Sequence, residues 1–453
     1  MAQTTPETLY LEVARRAGRY AAELATRRVA PSPEAVASLE RLDRPLPVAG
    51  DSDQSILAEL DEVGSPATVA TASGRYFGFV IGSGLPVATA ANWLATAWNQ
   101  NAALSVMSPV ATRLESIAVR WIRELLELPS GAGGVFTSGD TMANVAGLAA
   151  GRNAVLRAVG WDVGRQGLFG APPITVIVGE EVHVSLLRAL SILGLGRDRA
   201  VRIATDDQGR MKPNELPTLR GPTIICAQAG NVNSGAFDPL GELCDRARAS
   251  GAWVHVDGAF GLWARASPKY RTLAVGAERA DSWAVDGHKW LNVPYDSGIV
   301  LVRDPADLQA AMSAGGAAYL PTSAELDPMV YTPEMSRRAR GVDAWAVLRS
   351  LGRSGVAELV ETACRHARRF AERLEAEGFR VLNDVVLNQV LVSFGPSEDT
   401  RRVVQAIQRD GTCWCGSTVW HGTAAMRISV SAAATSDADV ERAVSAMIRL
   451  ARG

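Results

Sequence analysis

A lysine stands between two apolar runs in the second half of the chain. Lys289 occurs in Asp286-Gly-His-Lys-Trp290, with residues 282–285 before it and 299–302 after it. A lysine flanked by buried segments is costly unless it is paired, neutralised or used covalently. A lone lysine usually reaches the surface, but the polar and turn-forming residues up to Asp296 are more than a strand end needs. This pattern favours a lysine that forms a Schiff base with pyridoxal phosphate (PLP).

A PLP site also needs an acid at the pyridine nitrogen, and Asp257 is the candidate. It ends the apolar stretch Trp253-Val-His-Val-Asp257 and is followed by glycine. A carboxylate there keeps the ring nitrogen protonated and makes the ring an electron sink. A helix N-cap is the alternative role. The position 289 − 257 = 32 residues before Lys289, one β-α step earlier, favours the acid.

The segment Thr137-Ser-Gly-Asp-Thr141 is the candidate phosphate site. It lies between a predicted strand and a predicted helix, so its N–H groups and the Thr141 hydroxyl can converge on a dianion at a helix N-terminus. A capping turn has the same pattern. The carboxylate of Asp140 must point away from the phosphate in such a site. The candidate cofactor-binding residues, besides Lys289, Asp257 and His183, are Ser138, Gly139, Asp140, Thr141, Asn231, Ala259, Asp286 and His288.

His183 is the candidate group to stack on the cofactor ring. It follows the predicted strand 174–178 in Gly179-Glu-Glu-Val-His-Val-Ser185. A lone histidine at a strand end is more often a structural residue. In this setting it can cover one ring face and also contact the substrate carboxylate.

Composition excludes several classes of protein. The 453 residues are 47% apolar and 21% charged, which is ordinary for a globular enzyme, and the net charge of −2 gives no field that favours nucleic acid or an anionic membrane. The five cysteines are odd in number and scattered, which argues against a disulfide framework. Cys413-Trp-Cys415 has no second ligand pair, so we predict no metal site.

The sequence predicts neither a secretory signal nor a transmembrane segment. The N-terminus has neither a basic region nor an apolar core, so no secretory signal is predicted. The weakly polar stretch 85–104 contains proline and several amides that a membrane span does not tolerate cheaply. We therefore expect a cytoplasmic protein.

Short Val/Ile-rich runs alternate with predicted helices from residue 110 to residue 302. Apolar runs without alternation are typical of strands buried on both faces, which predicts an α/β fold with a mostly parallel sheet between helices. Sites in such sheets gather at the carboxyl ends of the strands. Beyond residue 342 the predicted strands leave little room for parallel crossovers, so we expect a second, antiparallel sheet, with Ser436 as N-cap of the last helix.

This organisation predicts four segments. Residues 1–75 form helices with little core of their own and pack on a second subunit. Residues 76–314 form the large PLP-binding domain, residues 315–341 a mobile loop or lid, and residues 342–453 a small C-terminal α/β domain.

Four motifs, in this order and spacing, resemble the group II PLP-dependent decarboxylases. They are Gly134-Val-Phe-Thr-Ser-Gly139, Glu181-Val-His-Val-Ser185, His255-Val-Asp-Gly-Ala259 and Asp286-Gly-His-Lys-Trp290. The family includes the aromatic amino acid, glutamate and cysteine-sulfinate decarboxylases and has the aspartate-aminotransferase fold (fold type I). The resemblance runs from about Tyr76 to the C-terminus.

The resemblance implies a role for each motif. Lys289 would form the imine with PLP, Asp257 would bind the ring nitrogen and His183 would stack on the ring, with Thr141 and His288 near the phosphate. It also implies an obligate homodimer with the site at the interface and the N-terminal helices around the partner. Three positions depart from the family, which usually has Gly or Ala at Asp140, Glu at Met142 and often Asn at Asp286.

The resemblance favours decarboxylation of an L-amino acid to an amine and CO₂. Family decarboxylases use a loop tyrosine to protonate Cα, and Tyr331 is the best match, with Tyr319 second. Arg427 lies on the polar face of Ala425-Met-Arg-Ile-Ser-Val-Ser431 and is suited to clamp a substrate carboxylate. If Arg427 held the substrate α-carboxylate in the plane of the PLP ring, the exposed bond would be Cα–H. Transamination would then be the reaction instead of decarboxylation. Cleavage of a Cα–Cβ bond in a β-hydroxy amino acid is a third possibility.

A scaffold protein that has lost activity is disfavoured, because Lys289 and Asp257 are both present. Four aromatic residues are candidates for an apolar substrate pocket, which favours an aromatic or bulky apolar amino acid. They are Phe77, Phe79, Trp98 and Trp420. Phe79, Trp98 and Arg427 are the predicted substrate-binding residues.

Overall fold

The computed structural model describes residues 5–313 and 327–453. The main sheet contains β1 (Gly133–Thr137), β2 (Thr175–Gly179), β3 (Val201–Ile203), β4 (Thr223–Gln228), β5 (Trp253–Asp257), β6 (Ser282–Asp286) and β7 (Gly298–Val302). The smaller sheet contains β8 (Arg380–Val381), β9 (Gln389–Ser393), β10 (Gly416–Trp420) and β11 (Thr423–Ser429). The two predicted sheets are therefore both present.

Helices precede, cover and follow these sheets. Those before the main sheet are α1 (Pro6–Glu23), α2 (Pro33–Ala37), α3 (Asp53–Glu59), α4 (Ser65–Ala67), α5 (Pro86–Trp98) and α6 (Pro109–Leu125). Those within and after it are α7 (Asp140–Arg157), α8 (Val163–Gln166), α9 (Val184–Ile192), α10 (Leu240–Ser250) and α11 (Pro305–Met312). The C-terminal ones are α12 (Arg340–Ala376), interrupted at the non-helical Gly352, α13 (Ser397–Asp410) and α14 (Asp437–Arg452).

The main sheet has the strand order β1-β7-β6-β5-β4-β2-β3. Strands β2 to β6 pair in parallel, and β7 runs antiparallel to both β1 and β6. The connection 287–297 is too short for the crossover of about a dozen or more residues that a parallel partner of β6 requires, so β7 reverses direction. The predicted mostly parallel sheet is confirmed, with this strand as its antiparallel member.

Both faces of the main sheet are covered, which explains its continuous apolar runs. Along β2, Val176 and Val178 pack into one core cluster and Ile177 into the other, on the opposite face. Neighbouring residues in a strand point to opposite faces, so two buried faces require apolar residues at every position. Helix α7 packs on one face, where it contacts β5, β6 and β7.

The smaller sheet is antiparallel throughout, in the order β10-β11-β9-β8, as predicted. Helices α12 and α13 pack against β9 and β11. Ser436 caps α14: its side chain accepts the Asp439 N–H, and the Asp439 side chain accepts the Ser436 N–H. This reciprocal capping box satisfies N–H groups that have no partner within the helix.

Candidate functional site

The predicted site residues come together at one edge of the main sheet. Strands β1, β2, β5 and β6 run in the same direction, and their carboxyl ends lie at this edge. Asp257 and Asp286 are the last residues of β5 and β6, and His183 lies four residues beyond the end of β2. A parallel arrangement therefore collects residues that are far apart in the chain.

Lys289 is paired with the carboxylate that ends β6. Its Nζ lies 3.0 Å from Asp286 Oδ2, and the Asp286 side chain is 2% exposed. Burial lowers the pKa of Lys289, but the charges of nearby carboxylates, with Asp286 the largest contributor, outweigh that effect and the net pKa is raised. The amine is therefore held protonated before it reacts.

The loop around Lys289 is fixed by polar residues that the sequence placed near the site. Asn292 Oδ1 accepts the N–H groups of Ser83 and Ala433, at 2.7 and 2.9 Å. Asp296 Oδ1 accepts from Arg340 Nε at 2.9 Å. Asn292 and Asp296 thus hold the lysine loop against neighbouring segments.

His288 lies beside the same carboxylate. Its Nδ1 accepts the Ser297 N–H at 3.2 Å, and its Nε2 lies 3.5 Å from Asp286 Oδ2. Burial lowers the pKa of His288. Its ring stacks on Tyr295, with 4.3 Å between ring centroids, and Tyr295 is a half-exposed residue that the sequence pattern did not single out.

Asp257 is a buried carboxylate with hydrogen bonds but, within the described residues, no salt bridge. Oδ1 accepts the Ala259 N–H at 3.3 Å, and Oδ2 accepts from Asn144 Nδ2 at 3.4 Å. Asp257 is 5% exposed. A buried carboxylate without a cation suits a protonated ring nitrogen.

Asn144 belongs to a buried hydrogen-bonded network that sequence analysis missed. Its Oδ1 lies 2.7 Å from His255 Nε2, and His255 Nδ1 lies 2.8 Å from Ser282 Oγ. Trp253 Nε1 donates to the same Ser282 oxygen. Burial lowers the pKa of His255 to about 3, so this imidazole is neutral. The sequence signal that could have identified Asn144 is its position one helical turn after Asp140.

The segment 138–141 joins β1 to the N-terminus of α7 and lies against β7. A Cβ added at Gly298 would lie 2.4 Å from the carbonyl carbon of Gly139, so only glycine permits this approach. Ser138 and Thr141 are partly exposed, whereas the Asp140 N–H donates to Asp286 Oδ1 at 2.8 Å. The first turn of an 18-residue helix is suited to bind a phosphate.

Asp140 and His183 face each other across Ser185. Ser185 Oγ lies 2.7 Å from His183 Nδ1 and 3.2 Å from Asp140 Oδ2. Burial lowers the pKa of His183. The Asp140 carboxyl is thus directed to Ser185 and to Asn144, which donates to it at 2.8 Å.

Asn231 takes part in a turn. Its Oδ1 accepts the N–H groups of Asn233 and Ser234, and its Nδ2 donates to the Glu181 carbonyl at 3.4 Å. These hydrogen bonds fasten the turn after β4 to the segment before His183. None of them reaches residues 138–141.

The predicted loop acid Tyr331 lies in the apolar cluster that includes α7 and α11 residues, and it is 7% exposed. Burial raises the pKa of its hydroxyl. Tyr319 lies outside the described residues, as do the other residues of the predicted lid up to 326. At the end of that lid, Arg337 forms a buried salt bridge with Glu115 at 2.9 Å, so residues near it are anchored to α6.

Aromatic residues form a stack beside the site. Trp414 stacks between Tyr76 and Phe79, with centroid distances of 5.1 and 5.3 Å. The other predicted pocket residues are not part of this stack. Phe77 packs edge-on against Phe370 in the core. Trp420 is 3% exposed, and Trp98 is on the surface at the end of α5. Sequence analysis found Phe79 but not Trp414 or Tyr76.

Arg427 has, within the described residues, no salt bridge. Burial lowers its pKa, and the charge of Tyr76 acts in the opposite direction. Arg427 lies close enough to His183 for its charge to contribute to lowering the pKa of that histidine. A partly buried guanidinium with no salt bridge within the described residues is suited to bind a carboxylate ligand.

These groups fit PLP. The amine of Lys289, the uncompensated carboxylate of Asp257 and the helix N-terminus at 138–141 match its aldehyde, ring nitrogen and phosphate. Over residues 5–313 and 327–453, no group of three or more His, Cys, Asp or Glu side chains is placed to hold a metal ion. In the same residues no helix is both long and apolar enough to cross a membrane.

Comparison with known proteins agrees with this geometry. Residues 36–395 match the pyridoxal-dependent decarboxylase conserved domain. Tyrosine decarboxylase of Papaver somniferum is 26% identical over 445 residues, covering 88% of this chain and 85% of that protein. L-2,4-diaminobutyrate decarboxylase of Rhizobium meliloti (strain 1021) is 33% identical over 356 residues, covering 74% and 68%.

A solved structure shows the same fold over nearly the whole chain. The crystal structure of Oryza sativa TDC with PLP and tryptamine superposes with a TM-score of 0.91 at 23% identity, covering 99% of each chain. The predicted fold and PLP cofactor are confirmed, and decarboxylation is selected over transamination and Cα–Cβ cleavage. The chain belongs to the pyridoxal-dependent decarboxylase family and is a PLP-dependent amino acid decarboxylase.

Proposed function

We propose that the substrate is an aromatic or bulky apolar L-amino acid whose carboxylate binds Arg427. The observation that carries this proposal is the position of Arg427, which within the described residues has no salt bridge and pairs in the smaller sheet with Gly416, two residues after the stacked Trp414. The guanidinium offers a bidentate site for one carboxylate, and the stack offers an apolar face for the side chain.

When bound, PLP supplies an electron-withdrawing ring that stabilises the electron pair left when CO₂ departs. In our proposal Lys289 anchors the cofactor covalently and Asp257 keeps the ring nitrogen protonated. His183 covers one ring face, and segment 138–141 with His288 binds the phosphate. The buried positions of Asp257 and His288 support these roles, because low-dielectric surroundings strengthen electrostatic contacts.

The proton that replaces CO₂ at Cα needs a donor. The sequence proposes Tyr331, which packs in the apolar cluster with α7 and α11 residues and is 7% exposed. Tyr295 is placed differently, since its ring stacks on His288 and is 54% exposed. Comparing Phe variants of these two tyrosines distinguishes them.

We also propose the homodimer that the sequence suggested. Helices α1, α2 and α3 contain no fully buried residue, and Trp93, Leu94 and Trp98 of α5 are exposed. A groove of about 1060 Å³, mostly apolar in its lining residues, lies between α1 and α5. Large exposed apolar surfaces of this kind favour association of subunits. The molar mass in solution, measured by light scattering, tests the proposal.

The substrate experiment is a single-turnover assay with PLP that follows CO₂, amine and pyridoxamine phosphate together. The panel contains tyrosine, tryptophan and phenylalanine, with glutamate as an acidic control and 2,4-diaminobutyrate because a relative is named for it. We expect CO₂ and amine from an aromatic member in the largest yield. Preference for glutamate or diaminobutyrate would refute the proposed substrate class while leaving the family unchanged.

A further inference from the structure

Three carboxyl groups and one lysine share the buried end of the site. Asp140, Asp257 and Asp286 are 6%, 5% and 2% exposed. Asp286 is paired with Lys289 at 3.0 Å, whereas within the described residues neither Asp140 nor Asp257 has a salt bridge. An unpaired buried carboxylate is costly, and the group usually binds a proton instead. Asp257 Oδ1 accepts the Ala259 N–H, whereas Asp140 Oδ1 has no hydrogen-bond partner within the described residues, so Asp140 is the less stabilised of the two as a carboxylate.

The contacts of Ser185 lead to the same conclusion by counting protons. Its Oγ lies 2.7 Å from His183 Nδ1 and 3.2 Å from Asp140 Oδ2. One hydroxyl proton serves one of these contacts, so the other contact needs a proton from His183 or Asp140. The Ser185 N–H also donates to His183 Nδ1, at 3.3 Å, which makes that nitrogen an acceptor. The remaining proton is therefore assigned to Asp140.

Asn144 connects Asp140 to the acid at the ring nitrogen. Its Nδ2 donates to Asp140 Oδ2 at 2.8 Å and to Asp257 Oδ2 at 3.4 Å. The orientation of the amide is set by His255, whose Nε2 lies 2.7 Å from Asn144 Oδ1. Both amide hydrogens are thus directed to carboxyl oxygens, one to each acid.

We propose that Asp140 is held as a neutral carboxylic acid and is a positioning residue that joins His183, through Ser185, to Asp257, through Asn144. The assignment of His183 and Asp257 to the cofactor rests on the proposed function. The neutral state of Asp140 rests on the contacts alone. In this state Asp140 adds no negative charge to the turn proposed to bind phosphate, and it links the group over the ring face to the group at the ring nitrogen.

The electrostatic surroundings agree with a protonated Asp140. Burial raises its pKa most, and the charges of Asp257 and Asp286 raise it further. Lys289 and the contact with Ser185 act in the opposite direction but leave the pKa well above its usual range. An acid whose folded pKa is raised costs stability as the pH rises above its unfolded pKa, because the unfolded chain releases the proton more readily.

The first test compares the thermal stability of the full-length protein without added PLP, wild type against Asp140→Asn, between pH 5.5 and 8.5. An asparagine keeps a neutral donor and acceptor in place. We expect Asp140→Asn to raise Tm by about 2 °C or more at pH 8.5 and by less at pH 5.5. The matched control is Asp286→Asn, which removes the partner of Lys289 and should lower Tm. A lower or unchanged Tm for Asp140→Asn at pH 8.5 would overturn the proposal.

The second test measures the protonation state of His183. The chain contains five histidines, so ring ¹³C- and ¹⁵N-labelled histidine gives a spectrum in which His183→Asn assigns one signal. We expect wild-type His183 to be neutral at pH 7 with the proton on Nε2, and Asp140→Asn to leave it so. A charged His183 whose pKa falls by about one unit in Asp140→Asn would show that Asp140 is ionised. Should Asp140→Asn not fold, the wild-type spectrum alone decides.

The two readouts separate this inference from the proposed function. Neither needs a substrate or turnover, so failure of the substrate panel leaves them unaffected. The link to the cofactor is tested by PLP affinity, measured from the quenching of tryptophan fluorescence. We expect the affinity of the wild type to fall more steeply at alkaline pH than that of Asp140→Asn. A parallel fall in both proteins would remove Asp140 from that role.

Discussion

Lys289 Nζ lies 3.0 Å from Asp286 Oδ2, and this ion pair sets the protonation state of the amine that is proposed to bind PLP. The net pKa of Lys289 is raised although burial lowers it. Because the folded pKa is above that of an unfolded lysine, the pair stabilises the protein below the lysine range for as long as Asp286 remains ionised. That stability is lost as the pH rises through the folded pKa.

Asp286→Asn should therefore change the rate of PLP capture. Without the carboxylate the pKa of Lys289 falls, and a larger fraction of the amine is unprotonated at neutral pH. We expect the rate of appearance of the imine absorbance to rise at lower pH than in the wild type. Stopped-flow absorbance across pH 6–9 measures this, and identical pH profiles in the two proteins would contradict the assigned pairing.

Lys289→Ala should abolish covalent attachment of PLP. Because Lys289 supplies the amine, treatment with borohydride should leave no cofactor on the variant chain, whereas the wild type retains one per chain by mass spectrometry. Lys269→Ala, on the surface beside Tyr270, is the matched control and should behave as wild type. Retention of reduced cofactor by Lys289→Ala would assign the imine to another amine.

Arg427→Gln should separate substrate binding from stability. Loss of charge-assisted hydrogen bonds of about 1.5–3 kcal/mol predicts a roughly 10- to 100-fold lower kcat/KM. Thermal stability should not fall, because an unpaired buried charge is removed. Arg427→Lys keeps the charge without the bidentate geometry and should be intermediate. Unchanged kinetics in the Gln variant would exclude Arg427 from the substrate site.

Asn144→Ala should weaken the buried network on which Asp257 depends. Removing the amide leaves His255 without its acceptor and takes one donor from each of Asp140 and Asp257, at a cost of about 1–3 kcal/mol for each buried group left unsatisfied. We expect lower stability in urea and weaker PLP binding. Stability equal to wild type would mean that the pocket rearranges around the missing amide.

Arg337→Met tests the anchoring of the C-terminal part of the predicted lid. Arg337 forms a salt bridge with Glu115, and the two side chains are 0% and 4% exposed, respectively. Arg337 also donates hydrogen bonds to the Ala102 and Phe136 carbonyls. Breaking a buried pair by removing one partner costs about 3–5 kcal/mol. Arg338→Met, with a side chain 49% exposed, is the control and should change stability little. Urea denaturation of both variants makes the comparison.

Sequence alone determined the fold class, the cofactor and the strand-end residues. Lys289, Asp257 and His183 each follow or end a predicted strand, and parallel strands bring such residues to one edge whatever the details of packing. The short connection after Lys289 was also visible in the sequence, but its consequence, an antiparallel β7, was not drawn from it.

Tertiary structure decided the contacts that depend on side chains from separate elements. Trp414, which follows α13, stacks on Tyr76 and Phe79, more than 300 residues earlier in the chain. No local sequence pattern encodes this contact. Likewise the burial of Tyr331 and the pairing of Asp140 with Ser185 arise from packing against other segments. Local periodicity fixes which way a residue faces, whereas its partner is set by how the elements pack.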